Sequence, residues 1–265
     1  MYNVTTELLA GGLGGSAGIL IGYPMDTIKA NVQTGNKLLW KDVKNNVRSL
    51  YRGMAVPLAS AFFLNALMFA GYEGALRLMG HKNKDEVSTM EIVLASTVGT
   101  LAQLGPAIPI ETVKTRLQVV YQNTVGPVRC IKDTLKTTGI QGLYSGGKVM
   151  AFRDLIGYSF YIPVYEEVKR LIEREIKTSE VNKQMLAGGI AGSLAWLAIC
   201  PLEVVKNWAQ CNQEMTNTEI ITRIWQKNGI LGFFKGGAIL AARAFPANAV
   251  TFLVYEQTLK ALKNE

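Results

Sequence analysis

Apolar residues fall along this chain in six long stretches, each interrupted by a proline, a glycine cluster or an isolated polar residue. They lie near residues 5–33, 53–73, 90–118, 146–166, 184–210 and 236–256. Each matches the roughly 20 helical residues needed to cross a hydrocarbon layer of about 30 Å. The odd-numbered stretches are rich in glycine: Gly11, Gly15, Gly18 and Gly22 in the first, Gly188 and Gly192 in the fifth. Small residues about one turn apart let helices approach closely in a membrane. In water the same glycines would weaken the helices. The pattern predicts an all-α membrane protein with six transmembrane helices.

The polar interruptions are themselves periodic. "PMDTIKANVQ" begins at Pro24, "PIETVKTRLQ" at Pro109 and "PLEVVKNWAQ" at Pro201. Each copy carries proline, an acid two residues later, a base five later and glutamine nine later. One such segment alone would read as a helix end with a solvated acid–base pair. Three copies, each closing an apolar stretch, require another reason. The even stretches repeat as well. "YRGMAVPLASAFFLNALMFAGYE", "YSGGKVMAFRDLIGYSFYIPVYE" and "FKGGAILAARAFPANAVTFLVYE" start at Tyr51, Tyr144 and Phe234 and align without a gap. The chain therefore divides into three repeats, 1–85, 86–178 and 179–265, each holding two apolar stretches and a loop.

Composition alone decides less. At 49% apolar and 18% charged residues the chain could be soluble; the distribution into stretches is what points to a bilayer. The net charge of +8 raises the question of nucleic acid. The bases, however, sit in loops and at stretch ends, such as Lys37, Lys41, Lys44, Arg48 and Arg52 against Asp42. An anionic membrane surface suits them better, and no nucleic-acid partner is expected. Cys130, Cys200 and Cys211 have no metal spacing and read as free thiols, and His81 is the one histidine. With no catalytic constellation and no phosphate loop, neither an enzyme nor a metal or cofactor is expected. No cleavable leader is expected, because the first apolar run carries the first repeat motif.

The threefold Pro-x-acid-x-x-base motif and the paired stretches resemble the mitochondrial carrier family over the whole chain. The resemblance implies six tilted transmembrane helices in three pseudo-symmetric repeats around a central cavity, with short matrix helices. It implies a monomeric, multi-pass protein of the mitochondrial inner membrane. It also pairs the acid of each motif with the base of the next: Asp26 with Lys114, Glu111 with Lys206, and Glu203 with Lys29. Gln33, Gln118 and Gln210 would brace the pairs, and the ring would close the matrix side. The opposite, cytoplasmic gate would use Tyr72, Glu73, Tyr165, Glu166, Lys169, Tyr255 and Glu256. Only "YEEVK" has the full family pattern there, so this second ring is expected to be weak. Arg52-Gly53, Gly146 and Lys235-Gly236 resemble the family's cardiolipin sites, with helix N-termini that suit a phosphate; simple helix-start chemistry is the other reading.

The family's substrate contacts fall seven residues past those glycines, at Ser60, Arg153 and Arg243. Arg153 is followed by Asp154, and charges at membrane depth default to function. An ion pair between these neighbours is not expected, since adjacent helical residues point about 100° apart. By resemblance the pair suggests a carboxylate on Arg153 and an ammonium on Asp154. Trp196 offers a face for a quaternary ammonium, or else packs against a neighbouring helix. Asn65, Tyr158 and Asn248 share one repeat position and could line the cavity. The segments "RAFPANAVTFLVYE" and "RDLIGYSFYIPVYE" look most like the carnitine/acylcarnitine and basic amino-acid branch. The reading is a small-molecule exchanger working by alternating access. Its solute would be a zwitterionic amine-carboxylate, carnitine-like or amino-acid-like. Alternatives are a carrier of cationic or methylated amino acids or of an S-adenosylmethionine-like solute, an uncoupling-type proton or anion leak, and an outer-membrane or peroxisomal member with an adaptor role.

Overall fold

The computed structural model describes residues 4–35, 47–80, 87–121, 125–175 and 180–262. Nine α-helices are assigned among these residues: α1 (Val4–Thr34), α2 (Ala55–Leu78), α3 (Thr89–Val119), α4 (Pro127–Thr137), α5 (Gly139–Leu143), α6 (Gly147–Glu175), α7 (Glu180–Cys211), α8 (Asn217–Asn228) and α9 (Gly237–Ala261). Two 3-10 turns, Val47–Tyr51 and Gly229–Phe234, precede α2 and α9. The six long helices α1, α2, α3, α6, α7 and α9 occupy the six apolar stretches. α1, α3 and α7 continue through Pro24, Pro109 and Pro201. The even helices run beyond the Tyr-Glu ends where the stretches were expected to stop. Lys37, Lys41, Lys44, Asp42 and His81 lie outside the described residues.

Among the described residues, four stretches are apolar and long enough to cross a membrane: Val47–Leu78, Met90–Val119, Gly188–Cys211 and Asn217–Leu259. The remaining two long helices, α1 and α6, have 31 and 29 residues. α1 carries Asp26 and Lys29 near its end, and α6 carries Arg153 and Asp154.

Packing is most extensive between helices of different repeats: α1 with α9, α2 with α3, and α6 with α7. Glycines make these seams close. A methyl at Gly14 would come 2.7 Å from the Thr251 carbonyl oxygen, and one at Gly71 would come 2.9 Å from Gly99 Cα. This corrects the expected glycine strip. A methyl at Gly11 or Gly15 would meet nothing within 4 Å, whereas Gly14, Gly18 and Gly22 face α9. The run "GGLGGSAG" offers two strips of four-residue spacing, and the partner helix selects one.

The connections from α3 to α6 and from α7 to α9 contain short helices with buried inner faces. Cys130 and Thr134 point inward from α4, and Ile220 and Ile224 from α8. Thr216 and Glu219 form a capping box that starts α8. Each even helix begins after a glycine of positive φ: Gly53 at 77°, Gly146 at 74° and Gly236 at 73°. A side chain would be strained there and would also press on an odd helix. A Cβ at Gly53 would lie 3.1 Å from Leu117, at Gly146 3.2 Å from Ala209, and at Gly236 3.2 Å from Gln33. These turns therefore rest on the ends of α3, α7 and α1, just beyond the bases of the repeated motif.

Candidate functional site

The three motif segments converge at the end of the bundle nearest the short helices. There the acids and bases read from the repeats stand within ion-pair distance. Lys29 Nζ is 2.6 Å from Glu203 Oε1, Lys114 Nζ is 2.9 Å from Asp26 Oδ2, and Lys206 Nζ is 2.6 Å from Glu111 Oε1. Glu203 and Lys206 are almost completely buried. The void among these residues is about 10 Å³, room for one water at most. The bundle is thus closed at this level.

Two arginines extend the ring. Arg153 Nη1 donates to Glu203 Oε2 at 2.7 Å and to Glu111 Oε1 at 3.3 Å. Its Nε donates to Asp154 Oδ1 at 2.8 Å. The neighbour pair that helix geometry argued against therefore forms. The Cβ atoms do diverge, but the long arginine side chain folds its fork back onto the carboxylate while its tip reaches the ring. Arg243 Nε lies 2.7 Å from Asp26 Oδ1, within ion-pair range although off the hydrogen-bond direction. Four acids thus face five cations, one positive charge in excess. A charge cluster buried in this way holds together only because every member has an opposite partner.

The glutamines do not brace the ion pairs. Gln118 Nε2 donates to Thr27 Oγ1, and Gln33 Oε1 accepts from Asn207 Nδ2. Gln210 has no hydrogen-bond partner on either polar side-chain atom. Four residues beyond the bases, the glutamines sit one turn past the charges, and there Gln33 and Gln118 link neighbouring odd helices. Sequence reasoning missed their partners in this lower tier. Asn31 Nδ2 donates to the Gln118 carbonyl at 3.0 Å and Trp208 Nε1 to the Gln33 carbonyl at 2.7 Å. Tyr23, fully buried, donates to the Arg52 carbonyl, and Lys114 stands over its ring at 5.2 Å. The available signal was polar residues inside the repeated motif that differ between its copies.

On the other side of the ring lie two adjoining cavities. The larger, about 490 Å³, is bordered by Ser60, Asn65, Gln103, Glu111, Lys114 and apolar residues of α1, α2 and α3. The smaller, about 300 Å³, lies among α6, α7 and α9 and includes Asn248. Arg153, Asp154 and Trp196 line both. Ser60 donates to the Val56 carbonyl of its own helix. Arg243 lines neither cavity, being drawn to Asp26. The side chain of Tyr158 lies outside the described residues.

The residues expected at the opposite gate are only partly described. Tyr72 packs with Ala75, Leu76 and Ala95 in the α2–α3 seam. The Cβ of Tyr255 faces Gly14 in the α1–α9 seam. The side chains of Tyr165, Glu166, Lys169 and Glu256 lie outside the described residues.

A helical bundle closed at one end by a ring of ion pairs, with cavities immediately behind it, has the arrangement of a solute carrier. The family model for "Mitochondrial carrier protein" matches residues 1–83, 85–175 and 177–265, so the chain belongs to the mitochondrial carrier family, whose members are transporters. It is 31% identical over 296 residues to solute carrier family 25 member 48 of Mus musculus, covering 98% of this chain and 96% of that one. It is 31% identical over 277 residues to the mitochondrial arginine transporter BAC2 of Arabidopsis thaliana, covering 98% and 92%. It is 30% identical over 279 residues to mitochondrial substrate carrier family protein S of Dictyostelium discoideum, covering 97% of each.

Proposed function

We propose that the protein is a six-span carrier of the mitochondrial inner membrane that exchanges a zwitterionic amine-carboxylate solute by alternating access. The supporting observation is the Arg153–Asp154 pair, which lines both cavities and also reaches the ring. A lone anion arriving at Arg153 would leave Asp154 without its partner. A lone cation at Asp154 would push Arg153 further onto Glu111 and Glu203, tightening the plug. A zwitterion replaces both partners at once, so no buried charge is stranded. The single excess cation favours the approach of the solute's carboxylate.

Binding and opening are linked in this reading. The solute's carboxylate competes with Glu203 and Glu111 for the Arg153 fork, and each bond it takes over weakens the plug. An arginine fork suits this role because it binds a carboxylate bidentately. The likeness to an arginine transporter and the acids bordering the cavities fit a solute carrying a cationic group. At the turns of Gly53, Gly146 and Gly236, the amides that begin α2, α6 and α9 would receive a cardiolipin phosphate.

Uptake into proteoliposomes tests the assignment. Arg153→Ala should abolish uptake of a zwitterion while leaving the carrier folded. Asp154→Asn should reduce uptake of zwitterions about tenfold or more and that of simple carboxylates much less. Unchanged selectivity in Asp154→Asn would remove the reason for choosing a zwitterion.

A further inference from the structure

We infer that Gln210 and Thr112 are positioning residues that bias the closed ring toward opening: their buried polar groups have no partners, so the seam of α3 with α7 is the least favourable of the three odd-helix seams to close. The inference rests on the alternating-access reading and is independent of which solute is carried. Neither residue borders a cavity, so both act through the seam rather than on the solute.

Each odd helix carries a glutamine nine residues after its motif proline, and two of the three bond to the odd helix of a neighbouring repeat. Gln118 of α3 donates to Thr27 of α1, three residues after Pro24. Gln33 of α1 accepts from Asn207 of α7, six residues after Pro201. Asn31 and Trp208 add bonds to backbone carbonyls in the same two seams. The corresponding positions on α3, for Gln210 of α7, are Thr112 and Thr115. Gln210 bonds to neither. Both polar atoms of its amide are unpartnered, and so is the Thr112 hydroxyl. Both side chains are fully buried. Thr27, the counterpart of Thr112, also donates to the Leu50 carbonyl of its own repeat; Thr112 has no such acceptor.

A buried amide or hydroxyl without a partner is worse off than one in water. Closing the α3–α7 seam therefore strips solvation from three polar atoms and satisfies none of them, whereas closing the other two seams forms hydrogen bonds. What holds α3 to α7 at the level of the ring is charge. Lys206 lies 2.6 Å from Glu111, and Arg153 spans Glu111 at 3.3 Å and Glu203 at 2.7 Å. A group that draws Arg153 away weakens this attachment, and the polar atoms below it then regain water. The seam thus joins a contact that can be broken to groups that are better solvated once it is.

The test uses the full-length carrier purified in detergent, with no solute, so its outcome does not depend on the zwitterion reading. Ala30 is 3% exposed and borders the void inside the ring; a cysteine there meets N-ethylmaleimide when the ring parts. The labelling rate of Ala30→Cys, read on its own peptide by mass spectrometry, reports opening, and the melting temperature reports the closed form. Gln210→Met keeps the length of the side chain and removes the amide. It should raise the melting temperature by about 2–4 °C and slow labelling about fivefold. Thr112→Val should shift both in the same direction by less, and it decides the matter if Gln210→Met does not fold. Gln118→Met, the equivalent change in a bonded seam, should lower the melting temperature and speed labelling. These opposite signs are what a merely structural role for all three glutamines would not produce. If Gln210→Met and Thr112→Val melt at or below the wild-type temperature, the two groups are bonded in the closed form and the inference is overturned. Labelling that is unchanged or faster in Gln210→Met also overturns it, and if Ala30→Cys is never labelled the melting temperatures decide alone.

Discussion

Glu203 is the most heavily committed acid of the ring, and removing its charge should damage the closed state more than removing any exposed charge. Its carboxylate side chain is 2% exposed and lies 2.6 Å from Lys29, 2.7 Å from Arg153 and 3.3 Å from Lys206. Glu203→Gln keeps the shape and deletes the charge. Arg153 and Lys206 retain Glu111, but the ion pair holding Lys29 is lost. Removing one partner of a buried pair costs about 3–5 kcal/mol, because the remaining charge stays buried. Lys114→Gln is the control. Lys114 is 19% exposed, and Asp26 keeps Arg243 at 2.7 Å, so the expected cost is about 1 kcal/mol. In purified, detergent-solubilised carrier, a loss of 3 kcal/mol lowers the melting temperature by about 6–12 °C, and 1 kcal/mol by about 2–4 °C. Equal melting temperatures for the two variants would refute this ranking of the ring's charges.

Two further predictions concern the ring and the turns beneath it. Glu111→Lys combined with Lys206→Glu should transport at least about tenfold below wild type, because the new lysine would face Arg153 and the new glutamate would face Glu203; near-complete recovery in exchange assays would show that the pair acts independently of its neighbours. Gly236→Ala should lower stability by about 1 kcal/mol or more, since φ is 73° and the added methyl would lie 3.2 Å from Gln33 Cγ; an unchanged melting temperature would show that this turn does not press on α1.

Much of the ring was legible in the sequence because the threefold repeat located its acids and bases. Which acid meets which base was implied by the resemblance to the carrier family once Pro24, Pro109 and Pro201 were aligned. The role of Arg153 was only half legible. Its depth on α6 marked it as functional, but its bonds to Glu111 and Glu203 depend on how far a flexible side chain reaches across the bundle. The same reach defeated the rule that neighbours on a helix do not pair. The glycine strip was ambiguous for a different reason. Gly11 and Gly15 have the same spacing as Gly14 and Gly18, and only the path of α9 distinguishes them. The glutamines were placed by analogy with the charges one turn away. Their partners, Thr27 at the fourth motif position and Asn207 at the seventh, do not correspond between copies, so the repeat named no common partner.

The proposed solute bears both a carboxylate and a cation, one for each member of the Arg153–Asp154 pair. Proteoliposomes containing the wild-type chain and Arg153→Ala should be given labelled zwitterion, dicarboxylate and diamine of equal chain length. Wild-type uptake of the zwitterion should be saturable, at least about tenfold above either of the others, and lost in Arg153→Ala. Uptake of the dicarboxylate or the diamine as fast as the zwitterion, or zwitterion uptake that survives Arg153→Ala, would contradict it.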